Sequence, residues 1–106
     1  MTRFDRLKHD VGCIVMRLYF GVYEAPDIHH LTSGGRRMGD DCTIPLSPWF
    51  HRGVGPNGMS QSEATRVFGP SLAKSRRDFE NRFGSQASLL RATNEILAKL
   101  EAGRAQ

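Results

Sequence analysis

The sequence predicts an α+β fold: a small strand–loop–strand–helix core flanked by an N-terminal helix and C-terminal helices. Three observations predict it. Two short extended segments, Asp27–Leu31 and Thr43–Leu46, are joined by a glycine-rich return, Thr32–Asp41. Ser47-Pro48 follows the second segment, and serine at the cap with proline at the first helical position is a helix start. Helical spacing of apolar residues then governs both ends of the chain. At 106 residues the expectation is one domain over 1–106, with its core at about 12–53 and C-terminal helices at about 71–101.

Taken in order, Met1–Val11 carries Phe4, Leu7 and Val11 at helical spacing and predicts a short amphipathic helix ending near Gly12. Cys13–Met16 and Arg17–Phe20 form an apolar, β-prone run, read as a buried turn or strand. Pro26 interrupts it before the strand Asp27–Leu31. Thr32–Asp41, with its glycines and two arginines, reads as a loop. Pro45 in the returning strand implies an edge position or a break in the ladder. His51 then falls on the first or second turn of the next helix, on the face toward the hairpin. Gly53–Ser62 reads as the most flexible segment. A helix is predicted over Leu72–Phe83, with Leu72, Phe79 and Phe83 inward and Gly84 as its stop. The last helix is predicted over Gln86–Glu101, capped by Ser85, with Leu89, Leu90, Thr93, Ile96, Leu97 and Leu100 as its packing stripe. The tail Ala102–Gln106 is expected to fray.

Composition narrows the function. Hydrophobic residues at 39% and charged residues at 25% fit a folded globular chain rather than a disordered one. No apolar run approaches the ~20 residues needed to span a bilayer, so no membrane partner is expected. The mixed charge of Met1–Asp10 shows no secretory or transit pattern, and Cys13 and Cys42 are not obviously paired; together these predict a reducing, cytoplasmic setting. The net charge of +4 is uneven: acids and bases balance up to His30, and eleven Lys/Arg face seven Asp/Glu from Leu31 onward. That excess suits a polyanion such as DNA, although solubility alone also accounts for it.

Three of the four histidines lie between Asp27 and Arg52: His29, His30 and His51. Tandem histidines, a hairpin-length return and a third histidine at the start of a helix match the ββα-metal, or HNH, nuclease arrangement. Phosphodiester hydrolysis needs a base for water, charge neutralisation at the phosphate and stabilisation of the leaving 3′-oxygen. Histidine titrates near neutrality and suits the first task; a divalent ion covers the other two. Neighbours on a strand point to opposite sides, so His29 and His30 cannot share one role. The assignment is His29 and His51 to one divalent ion (Mg, Mn or Zn) and His30 as general base. Arg36, Arg37 and Arg52, with Lys74, Arg76 and Arg77 further on, are the candidate DNA contacts. The competing reading is bland: paired histidines arise by chance, one beside Trp49 and Phe50 is often simply packed, and Arg36-Arg37 alone is a solvated loop.

The chain also resembles a known family. Gly12-Cys-Ile-Val15, Ile28-His-His-Leu31, Ser33-Gly-Gly-Arg-Arg-Met-Gly39, Thr43-Ile-Pro-Leu46, Pro48-Trp49 and His51-Arg-Gly53 resemble the recombination-enhancement (Ref) HNH nucleases of phages. Gly69-Pro-Ser-Leu-Ala-Lys-Ser75, Phe79-Glu80 and Phe83-Gly84 resemble the family's downstream helix, so the likeness runs from about Gly12 to Leu97. The resemblance implies a metal-dependent DNA endonuclease acting on DNA held in a RecA-type recombinase filament. It makes His30 the base and His29 and His51 the ligands of the catalytic ion.

The same resemblance exposes two departures. The family's structural zinc uses a Cys-x-x-Cys and a Cys-x-x-His pair; here only Cys13 remains, with Met16, Ser47 and Phe50 at the other positions. A thiolate, a thioether and a hydroxyl do not make a tetrahedral zinc site, so no structural zinc is expected. Asp40 stands where the family more often has histidine; it is an oxygen donor able to orient an imidazole or touch the ion. These departures motivate the alternative: a non-catalytic DNA- or filament-binding module that keeps the fold.

Overall fold

The computed structural model describes residues 1–104. Thr2 opens the first helix, α1 (Arg3–Arg6), with a capping box: its hydroxyl accepts from the Asp5 backbone N–H while the Asp5 carboxylate accepts from its own. The helix runs on as a π-helical turn, Leu7–Val11, closed where the Gly12 N–H donates to the Leu7 carbonyl. Gly12 is required there. Its φ is +72°, and a Cβ would lie 2.6 Å from the Tyr23 ring, which folds back so that its hydroxyl donates to the Lys8 carbonyl.

The next segment corrects a sequence expectation. Cys13–Phe20 is neither turn nor strand; it is helical from Ile14, ending as a π-helical turn over Met16–Phe20. A short apolar run does not specify its own period, and burial decides between them. Cys13, Ile14 and Val15 are fully buried and Met16 nearly so, whereas Leu18, Tyr19 and Phe20 are exposed.

Two antiparallel strands follow: β1 (Asp27–His30) and β4 (Thr43–Leu46), registered Asp27↔Leu46, Ile28↔Pro45, His29↔Ile44 and His30↔Thr43. The sheet has two strands, so Pro45 has an open side for its missing N–H. The intervening segment is not a plain loop. It holds a miniature hairpin, β2 (Thr32–Ser33) against β3 (Arg36–Arg37), turned by Gly34 and Gly35 with φ of +59° and +80°. Positive φ at both central residues is what a type I′ turn demands, and glycine supplies it without a Cβ clash.

Helix α2 (Pro48–Arg52) starts as predicted, with the Ser47 hydroxyl capping Phe50 N–H and Pro48 at N1. Five residues cannot hold a helix alone. Tertiary contacts do it: Trp49 Nε1–H donates to the Gly69 carbonyl at 3.0 Å, the Ser71 hydroxyl to the Trp49 carbonyl at 2.6 Å, and Leu72 N–H to the Phe50 carbonyl at 3.1 Å. Fully buried Phe50 packs against Phe83 (5.2 Å between ring centroids) and Phe79 (6.0 Å), a burial worth roughly 2–3 kcal/mol.

Helix α3 (Gln61–Phe68) was not anticipated and takes over the end of the segment read as flexible. Ser60 caps it through Glu63 N–H, and it turns Ala64 into the core. The predicted Leu72–Phe83 helix begins only at α4 (Arg76–Phe83), because Ser75 caps it through Asp78 N–H and Leu72 is tied to α2. Phe79 and Phe83 are buried as expected. The last helix, α5 (Gln86–Arg104), carries Leu89, Thr93 and Leu97 buried, with Leu90, Ile96 and Leu100 packed beside them. It does not fray at Ala102: Arg104 reaches Asp10 at 2.5 Å. The rest of the predicted frayed tail, Ala105 and Gln106, lies outside the described residues.

Arg3 clamps the ends together. Its guanidinium donates to Thr43 Oγ1 (2.9 Å), the Thr43 carbonyl (2.7 Å) and Asn94 Oδ1 (2.9 Å), joining α1, β4 and α5. The result is a mixed α+β fold in which β1, β4 and α2 meet at one end and α4 and α5 close over it. Among the described residues no helix is long and apolar enough to cross a membrane.

Candidate nuclease site

The register of β1 sends Asp27 and His29 to one side and His30 to the other. On the first side His51 arrives from α2. Its ring lies 5.3 Å from that of His29, edge to face, so the two predicted metal ligands are adjacent. Asp27, two residues before His29, receives His51 Nδ1 at 3.0 Å and Arg52 Nε at 2.7 Å on one oxygen, Oδ2. His29 Nε2 lies 2.8 Å from Gln86 Oε1 at the start of α5. Gln86 Nε2 donates to Glu80 Oε2 (3.1 Å), which also takes Arg76 Nε (2.9 Å). Two polar chains thus meet at the histidine pair: Arg76–Glu80–Gln86–His29 from α4 and α5, and Arg52–Asp27–His51 from α2 and β1, with the two rings in contact edge to face between them.

The electrostatics follow. Burial pushes the His29 imidazole down, and the neighbouring His51 and His30 add to this against the opposing Gln86 contact. His29 is therefore neutral at pH 7, the form in which imidazole binds a metal. Partial burial pushes the Asp27 carboxyl up, but hydrogen bonds from Arg52 and His51 outweigh it and hold it below the usual carboxylate range. Hydrogen bonds from Gln86 and Arg76 likewise lower Glu80.

His30 sits apart from this pair. Its ring is edge-on to Phe4 of α1 (5.9 Å), and Nε2 is 3.7 Å from Asp40 Oδ1, beyond hydrogen-bond reach but close enough for charge to act. Asp40 thus stands beside the predicted base rather than beside the predicted ligands. The candidate DNA contacts divide the same way. Lys74 lies against Gly53, where a glycine Cβ would meet its Cε at 2.8 Å, beside the His51–Arg52 turn. Arg52 and Arg76 are engaged with Asp27 and Glu80. Arg36 and Arg37 project on the exposed hairpin, and Arg77 is exposed on α4.

Sequence reasoning missed Asp27, Gln86 and Glu80. Asp27 had a signal, because an acid at i−2 on a strand shares a face with the histidine that follows. Gln86 had none: it meets His29 across 57 positions of chain.

The four positions at which the resemblance expects zinc ligands also meet. Cys13, Met16, Ser47 and Phe50 are all buried together. Burial pushes the Cys13 thiol up, against backbone hydrogen bonds from Met16, Ser47 and Val15 and one from the Ser47 hydroxyl. A protonated thiol beside a thioether, a capping hydroxyl and a phenyl ring is apolar packing, and this donor set does not fit tetrahedral zinc. The histidine side is different in kind. Among the described residues no group of three or more His, Cys, Asp or Glu is arranged to hold a metal ion. What the chain offers there is two imidazoles, each with one nitrogen engaged by a neighbour and one left over. Imidazole nitrogens are metal-ligand atoms, and an ion held by these two would take its other ligands from water and phosphate oxygens.

No curated protein sequence and no solved structure matches this chain. A family model does, that of the recombination enhancement, RecA-dependent nucleases, over residues 2–98, from the Thr2 cap to the last turns of α5. The match takes in the histidine pair, its supporting residues and Cys13, Met16, Ser47 and Phe50 alike, and the chain belongs to the recombination enhancement, RecA-dependent nuclease family.

Proposed function

We propose that this chain is a metal-dependent DNA endonuclease of the HNH type, a single domain whose β1–β4–α2 unit is the ββα-metal core. Its substrate is DNA held in a RecA-type recombinase filament in the bacterial cytoplasm. The observation that carries the reading is the pairing of His29 with His51. Two imidazoles from a strand and from the helix after its return strand lie 5.3 Å apart, each anchored by a different neighbour.

His29 and His51 would hold the ion. When bound, it supplies Lewis-acid polarisation of the phosphate and stabilisation of the leaving 3′-oxygen. His30 takes the proton of the attacking water. With Nε2 directed toward Asp40, Nδ1 is the nitrogen left to accept it. Arg36, Arg37 and Lys74 bind backbone phosphates, joined by Arg77 and by the outer guanidinium nitrogens of Arg52 and Arg76.

A second reading has its own observation. Phe4 covers one edge of His30, as it would cover a packed histidine in a DNA- or filament-binding module without turnover. Nicking of plasmid DNA in Mg²⁺, Mn²⁺ or Zn²⁺, with and without a recombinase filament, separates the two. The nuclease reading expects His30→Ala to lose roughly 10²–10⁴-fold in rate while keeping its melting temperature and DNA affinity. Equal cleavage by wild type and variant rejects His30 as the base, and no cleavage by wild type under any condition leaves the binding module.

A further inference from the structure

We propose that Gln86 is a positioning residue which, held by Glu80, fixes His29 in the tautomer that leaves Nδ1 as its free lone pair. The inference deepens the nuclease reading, since it rests on His29 being a metal ligand. It comes from hydrogen-bond polarity alone. An ionised carboxylate can only accept, so the Gln86 amide must turn its nitrogen toward Glu80. The amide oxygen is then the atom left for His29, and it too can only accept. His29 Nε2 must therefore carry the hydrogen, and a neutral imidazole with Nε2–H has its lone pair on Nδ1.

His51 is fixed the other way. Asp27 can only accept, so Nδ1 of His51 carries the hydrogen and Nε2 keeps the lone pair. The two rings are thus held in opposite tautomers by separate carboxylate-anchored supports, one from α2 and β1, the other from α4 and α5. Arg76 completes the second support four residues before Glu80. Gln86 itself is fixed at the head of α5, where Ser85 caps the helix through Ser88 N–H. The C-terminal helices thereby have a task beyond packing: they present one amide oxygen to one imidazole.

The test reads the tautomer directly in metal-free protein. Long-range ¹H–¹⁵N spectra of histidine-labelled protein at neutral pH identify which nitrogen of each ring is protonated. Wild type is expected to show Nε2–H at His29 and Nδ1–H at His51. Gln86→Leu is expected to give mixed tautomers at His29, leave His51 unchanged, and weaken Zn²⁺ or Mn²⁺ binding by roughly 10–100-fold in a titration with the metal alone. The exchanged pair Glu80→Gln with Gln86→Glu keeps an acceptor facing His29 and a donor behind it; it is expected to restore Nε2–H and the affinity. A His29 that stays Nε2–H in Gln86→Leu with unchanged metal affinity overturns the proposal. So does an exchanged pair that folds without restoring Nε2–H, and this second variant decides the matter if Gln86→Leu does not fold. Failure of the nuclease reading shows differently, as absent cleavage by wild type, and leaves the tautomer result standing.

Discussion

Asp27→Asn isolates the other support of the histidine pair. The carboxylate takes two hydrogen bonds on Oδ2, from His51 at 3.0 Å and Arg52 at 2.7 Å. Asparagine keeps one accepting oxygen but no charge. Hydrogen bonds to a charged group contribute about 1.5–3 kcal/mol each, but Arg52 is more than half exposed, and a solvated pair is worth about 1 kcal/mol or less. The expected loss at pH 7 is therefore about 1–2 kcal/mol, the larger part from the shielded His51 contact. The pH dependence fixes the cause. The folded-state pKa of Asp27 is depressed, so its contribution is fully present above the unfolded value of about 3.9 and is lost as pH falls through the lower folded value. Urea unfolding of wild type and variant at pH 7, 5, 4 and 3 should show a gap at pH 7 that narrows below pH 4, where protonated Asp27 resembles asparagine. A gap that is absent at pH 7, or the same at pH 7 and pH 3, would refute the charge-assisted anchoring on which the His51 tautomer depends.

Two further outcomes are expected. Gly12→Ala places a Cβ at φ +72° and 2.6 Å from the Tyr23 ring; it should cost roughly 2–4 kcal/mol in thermal or urea unfolding, and a loss under 1 kcal/mol would mean the turn is not held as described. Arg36→Ala with Arg37→Ala removes two exposed cations from the hairpin. DNA binding should weaken evenly across sequences, and the slope of log affinity against log salt should fall by about 1.8 for duplex DNA; an unchanged slope would take the hairpin off the phosphate backbone.

Much of the fold was legible because it rests on local rules. Ser47-Pro48 announced α2 through cap and ring chemistry, and His51 duly reached β1. Strand alternation separated His29 from His30, and the apolar stripe of α5 ran as its spacing required. Where local rules conflicted the reading failed. Cys13–Phe20 has strand-like residues but folds as a helix from Ile14, with Ile14 and Val15 fully buried in the core. Helix α3 is eight residues long and turns Ala64 and Phe68 to the core; it begins at the end of the glycine-rich Gly53–Ser62 segment, whose loop signal overrode its helical period.

The sequence by itself determined the family, the two strands, the short helix and the three histidines, because each is written within a few consecutive residues. Only the tertiary structure decided what those histidines are worth chemically. Gln86 approaches His29 from 57 positions away, Asp27 meets His51 from 24, and Phe4 meets His30 from the first helix. An imidazole's free nitrogen is set by whatever its other nitrogen touches, and that partner is chosen by chain packing in space rather than by spacing along the chain.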